Sequence, residues 1–247
     1  MKKILIVLAI LVFLPAGALA VPVTIYDAAA DRIGEIGFET FSITVDTNPA
    51  IRMTFNIATN YPQVGLTVPG SPAGWVTRPA DLLLDVSSNG QGWDYAIPLV
   101  DHYGWKDSDG KYQNLYNAGH VYKVQSMWLS SAYVPAEGTW SYNDASVSLY
   151  KGTDTGLSGT WTWNSTGATD PTKDPQWNII YNGANWNWGE LAGLGDLTIA
   201  WATATCGNDI INGRVSPNPV PEPATMLLLG SGLVGLAGFG RKKLFKK

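Results

Sequence analysis

The chain has 247 residues, 45% of them hydrophobic and only 15% charged, with 27 glycines, 15 prolines and one cysteine. That length suits one domain of about 200 residues or two small ones. Low charge, many turn formers, and 11 tryptophans beside 11 tyrosines exclude a coiled coil, a disulfide-stapled mini-protein, a polytopic membrane protein and a charged disordered tail.

Residues 1–20 read as a signal peptide. Lys2 and Lys3 make a basic start, residues 4–14 are an unbroken apolar run, and Pro15-Ala16-Gly17 ends any helix there. Such a run is too short to span a bilayer. Ala18 and Ala20 then supply the small residues that signal peptidase requires, which predicts export and a mature chain starting at Val21. No cysteine follows the cleavage point, so lipoprotein anchoring is not expected.

Residues 21–215 predict an all-β exported domain. Residues 28–36 are the exception, where Ala29, Ile33 and Ile36 have the spacing of a short helical turn. Stretches 38–46 and 51–58 alternate apolar and polar side chains. Residues 82–86 and 93–98 flank Asn89-Gly90, and 103–106 and 112–115 flank Asp109-Gly110, two hairpin signatures. Further strands are predicted at 121–130, 139–142, 146–150, 160–163, 177–181 and 197–205. A turn at Gly207-Asn208-Asp209 and a short edge segment then lead into the linker. Ten or more short strands without a repeat predict a single β-sandwich or jelly roll.

Few residues suggest chemistry. Asp107-Ser108-Asp109-Gly110 resembles half a calcium loop, but Trp105 and Tyr116 stand where an EF-hand loop needs acids, so a hairpin turn is expected. His102 and His120 form no zinc-binding pattern, and no nucleophile elbow, P-loop or dinucleotide fingerprint is present. No catalytic residue, metal site or cofactor is predicted. Trp140/Tyr142, Trp161/Trp163 and Trp186/Trp188 are two apart, which on a strand puts each pair on one face. Buried, such a pair fills core volume; exposed, it makes a platform for a sugar ring. Trp186 and Trp188, set among Asn182, Asn185 and Asn187, are the candidates for carbohydrate binding.

After the Pro-rich linker at 216–223 come seventeen uncharged residues, 224–240, and a basic tail at 241–247. At 1.5 Å per residue such a helix is about 26 Å long, enough for a short transmembrane span. Arg241, Lys242 and Lys243 orient it with the C-terminus in the cytoplasm. The segment Val220-Pro221-Glu222-Pro223, the run Leu227 to Gly232 and the basic cluster resemble, in that order, the PEP-CTERM protein-sorting signal of Gram-negative bacteria. That resemblance covers about the last 28 residues. It implies processing near Pro221, Glu222 and Pro223 by an exosortase, with passage through the inner membrane to the cell surface or extracellular matrix.

Residues 21–223 hold nine basic and all twenty acidic residues, a net charge of −11. This surface repels nucleic-acid phosphates. Cys206 has no intrachain partner for a disulfide, which leaves a small core residue or an intermolecular bridge. Signal peptidase and exosortase are the expected processing partners, the membrane a transient one, and extracellular polysaccharide the expected ligand. The function expected is that of a non-catalytic surface or matrix protein. The alternatives are an extracellular carbohydrate-active enzyme on a β-sandwich and a self-assembling surface subunit.

Overall fold

The computed structural model describes residues 22–27, 39–46, 52–61, 79–87, 92–104, 107–109, 111, 113–129, 146–170, 173–192, 195–202, 209–216 and 229–233. The chain divides into two units, one of residues 22–217 and one formed by residues 1–21 with 218–247. In the second unit the described residues, 229–233, are helical. No helix among the described residues is long and apolar enough to cross a membrane. Most of 224–240, Ala18 and Ala20, Pro221 to Pro223, Arg241 to Lys243, Cys206, the turn predicted at 28–36 and the strand predicted at 139–142 lie outside them.

The first unit is all-β. Its strands are β1 (Val23–Tyr26), β2 (Thr40–Val45), β3 (Arg52–Thr59), β4 (Leu82–Asp85), β5 (Tyr95–Ile97), β6 (His102–Tyr103), β7 (Leu115–Tyr116), β8 (His120–Leu129), β9 (Ser146–Ser165), β10 (Trp177–Asn187), β11 (Leu197–Ala202) and β12 (Ile210–Val215). Ten of them form one antiparallel sheet in the order β1-β2-β3-β10-β9-β8-β5-β4-β11-β12, and β6 pairs with β7 in a separate hairpin.

This arrangement departs from the two separate sheets expected of a sandwich. The two strands predicted at 146–150 and 160–163 are one strand, β9, and it belongs to both halves of the sheet. Residues 146–158 pair with β8 and residues 159–165 pair with β10. Register shifts along the β8–β9 ladder bend the long strand, so the two halves enclose a common core. At the far ends, β12 comes against β1: a Cβ at Gly213 would fall 2.6 Å from the Ile25 side chain. β1 itself carries no alternation long enough to stand out in the sequence.

Strand alternation explains what is buried. On the first half, Ile43, Val45, Phe55, Ile57, Ile179 and Tyr181 are fully buried. They meet Leu82, Leu84, Ile97, Val121, Ile199 and Trp201 from the second half in one hydrophobic cluster. Each such side chain contributes roughly 1.5–3 kcal/mol on burial.

The second half is buried on its outer face too. Leu83, Ala96, Tyr122, Leu149 and Ala200 form another cluster with Tyr116 of β7, so the β6–β7 hairpin lies over this face. The Tyr116 ring meets Tyr122 edge-on at 4.9 Å, and its Oη accepts the Gly152 N–H at 2.9 Å. This explains why Leu82-Leu83-Leu84 is an apolar run rather than an alternating one: β4 is covered on both sides.

Candidate functional site

The candidate sugar platform does not form around Trp186. Its indole is 2% exposed, donates Nε1–H to Tyr181 Oη at 3.1 Å, and packs 6.4 Å from the Phe55 ring. Residues 179, 181 and 183 point inward and residue 182 outward, but Ala184 and Asn185 are both exposed. Asn182 stands opposite Thr54 and Asn187 opposite Arg52, so β10 carries extra residues there. This bulge reverses the alternation and turns Trp186 into the core. Trp188 opens the short helix α1 (Trp188–Ala192), and its side chain lies outside what is described. Asn187 caps α1: its Oδ1 accepts Glu190 N–H at 3.3 Å, and Glu190 Oε2 accepts Asn187 N–H at 2.7 Å. That reciprocal pair is a capping box, and Asn-x-x-Glu was its signal in the sequence.

Trp161 and Trp163 also pack against the main core, and Trp161 Nε1–H is donated to Pro98 O at 2.9 Å. Trp140 and Tyr142 lie outside the described residues.

The polar side chains weighed for chemistry hold the fold. Asp107 Oδ1 accepts the N–H groups of Asp109 and Lys111 at 3.1 and 2.9 Å, the self-closing bonds of an aspartate turn. His102 belongs to β6 and is mostly buried, with Nε2 at 3.1 Å from both carboxylate oxygens of Asp81. His120 Nδ1 lies 3.0 Å from Asp154 Oδ2 at the surface. Among the described residues no group of three or more His, Cys, Asp or Glu side chains could hold a metal ion.

Where β1 and β2 approach β12 there is one buried carboxyl. Asp209 is 1% exposed and accepts the Thr40 N–H through Oδ2, while Oδ1 has no hydrogen-bond partner. Burial pushes this carboxyl up to about 8; the Thr40 bond opposes that, and the nearby charges of Asp27 and Glu39 add to it.

A further polar feature is the outer face of the first half-sheet, exposed along β9 and half-buried along β2 and β3, where the Asn56 Oδ1 is buried. Strand register sets Thr24 beside Thr44, Thr44 beside Asn56, Asn56 beside Ile180 and Ile180 beside Thr162. A second row runs Tyr26, Ser42, Ala58, Asn178, Asn164 on the same pairings, and a third runs Thr54, Asn182, Thr160. Thr24 and Thr44 share a hydroxyl–hydroxyl bond of 2.9 Å. The β9 members Thr160, Thr162 and Asn164 are exposed, and Tyr26 is 78% exposed. The first two rows hold no aspartate, glutamate, lysine, arginine or histidine; the third continues on β2 to Asp46, whose N–H is donated to Thr54 O at 3.2 Å, and the exposed Arg52 follows Thr54 on the same face of β3. Scattered along five strands, these residues read in sequence only as the polar half of an alternation.

Residues 219–242 match the family model of the PEP-CTERM protein-sorting motif. The match covers the tail alone and agrees with the resemblance read from Val220 to Pro223, the glycine-rich apolar run and the basic end. It marks an exported protein whose sorting by an exosortase takes place at the membrane on the way to the cell surface. No curated protein and no solved structure matches the chain.

Proposed function

We propose that this protein is a non-catalytic component of the cell surface or extracellular matrix whose β domain associates with extracellular polysaccharide. The observation that carries the reading is the sorting motif at 219–242 joined through a Pro-rich linker to an all-β domain, with a net charge of −11 over residues 21–223. In this reading residues 1–20 are removed by signal peptidase, and residues 224–240 cross the inner membrane until exosortase acts near Pro221 to Pro223. Three of the domain's carboxylates have structural roles, which supports a non-catalytic reading of those residues. Asp81, Asp107 and Asp209 each accept a backbone N–H, which ties them to the fold.

Intact-mass spectrometry of the protein from culture supernatant, outer surface and inner membrane tests the reading. A species running from Val21 to the neighbourhood of Pro221–Pro223, found outside the cell, is the expected result. A full-length tail ending in Lys247 and confined to the inner membrane would overturn it, because the domain would then work in the periplasm on a permanent anchor.

A further inference from the structure

We propose that the outer face of β1, β2, β3, β10 and residues 159–165 of β9 docks an uncharged, hydroxyl-rich polysaccharide, with the Tyr26 ring as its edge contact. The inference rests on the matrix reading above and assigns it a surface and a ligand class.

Three properties of the face select that ligand. The first is its chemistry. Threonine, serine and asparagine side chains both donate and accept, which suits a polymer whose hydroxyls do the same. The second is charge. Residues 21–223 hold eleven more acidic than basic residues, yet the rows from Thr24 to Thr162 and from Tyr26 to Asn164 hold none of them, and the third meets one only at its β2 end, where Asp46 lies beside Thr54. An anionic polymer would meet long-range repulsion and find a single cation, Arg52 at one end of the face, to offset it. An uncharged one meets neither obstacle. The third is spacing. Neighbouring strands lie about 4.8 Å apart, and same-face residues recur about every 6.7 Å along a strand. The rows therefore form a regular grid that a repeating chain can engage at several points.

Coverage separates this face from its counterpart. The outer face of the other half carries Leu83, Ala96 and Leu149 and is closed by the β6–β7 hairpin. The first half carries hydroxyls and amides, exposed on β9 and β10 at Thr160, Thr162, Asn164 and Asn182 and half-buried at Thr24, Ser42, Thr44 and Asn178, with the Asn56 Oδ1 buried. Tyr26 ends one row on the edge strand with 78% of its surface free, where an aromatic ring can stack on the apolar face of a sugar. A single hydrogen bond adds little net affinity, so binding requires several contacts in one row. A polymer supplies them, and a monosaccharide does not.

The test is affinity electrophoresis of the protein purified from its host, through gels holding dextran, hydroxyethylcellulose or, as the anionic comparison, alginate. Two face variants, Thr160→Glu/Thr162→Glu and Tyr26→Ser, are run beside Thr153→Glu, an exposed position on the part of β9 that pairs with β8. Circular dichroism and thermal melting check that each is folded. The expected result is retardation by a neutral polymer, insensitive to salt, weakened about tenfold in the glutamate pair and severalfold in Tyr26→Ser, and unchanged in Thr153→Glu. The Tyr26→Ser variant adds no charge and changes a side chain that is mostly exposed, so it decides the matter if the glutamate pair does not fold. Retardation of both face variants equal to that of the parent overturns the assigned face and leaves the matrix reading standing. Retardation by alginate alone does the same to the ligand class. Binding to none of the three polymers overturns this proposal together with the polysaccharide reading beneath it.

Discussion

His102 and Asp81 meet beneath the β6–β7 hairpin, with Nε2 at 3.1 Å from both carboxylate oxygens, and the same carboxylate accepts the Leu149 N–H at 2.7 Å. One buried side chain thus ties the hairpin to β9 behind the second apolar cluster. Removing it strands two donors away from water, a loss larger than the net worth of the bonds themselves. Asp81→Ala should lower stability by about 3 kcal/mol, read as a shift of the urea midpoint at constant slope. Asp81→Asn keeps an acceptor for Leu149 and should lose less. Equal midpoints for Asp81→Ala and the parent would show that the contact holds nothing.

The Asp209 carboxyl predicts how stability depends on pH. Folded, it is pushed up to about 8, first by burial and then by the charges of Asp27 and Glu39; unfolded, it titrates near the ordinary aspartate value of about 3.9. Between those values the native state holds a proton that the unfolded chain does not. Its contribution is therefore fully present at low pH and is lost as pH rises through about 8, with a slope of up to about 1.4 kcal/mol per pH unit. Asp209→Asn should melt higher than the parent at pH 8 and approach it at pH 5. A difference between the two that stays constant from pH 5 to 9 would contradict the assignment.

Gly119 and Gly159 lie where β8, β9 and β10 converge. Gly159 donates its N–H to Gly119 O at 2.9 Å, and Tyr181 Oη donates to the same oxygen at 3.0 Å. A Cβ on Gly159 would fall 2.4 Å from both Asn182 O and the Tyr181 ring, and backbone cannot move aside cheaply. Gly159→Ala should cost about 3 kcal/mol. Gly156 has φ +78° but open space around it, so Gly156→Ala should cost only the left-handed strain, about 1–2 kcal/mol. Thermal melting of the two variants checks the order.

Trp186 should behave as a core residue. Trp186→Ala should destabilise the domain by about 3–5 kcal/mol, while the folded fraction binds neutral polysaccharide as the parent does. A variant that kept its melting temperature and lost binding would return Trp186 to the role of a sugar platform.

The alternation at 38–46 and 51–58 marked β2 and β3 because a half-buried strand repeats every two residues. The hairpin signature around Asn89-Gly90 likewise brought together β4 and β5, which pair as Leu82 with Ile97. β9 was harder to see. Its middle, 151–159, carries Gly152, Gly156 and Gly159, which look like turn residues in sequence but serve a bent strand in the fold. Nor could the side taken by Trp186 be read. It depends on the bulge before Asn187, and a parity change at one place reassigns every side chain after it. Asp209 showed only as a turn residue, since the Thr40 N–H that it accepts lies 169 positions away.

The sorting motif and the all-β character were legible in the sequence alone. A sorting tag is recognised as a linear segment, and strand alternation and turn chemistry act over a few residues. The hydroxyl- and amide-rich outer face was decided by tertiary structure. Its rows need β3 beside β10 and β10 beside β9, pairings between segments more than a hundred residues apart in the case of Thr54 and Asn182. Only burial of the opposite side of those strands commits the Thr, Ser and Asn residues to a common surface.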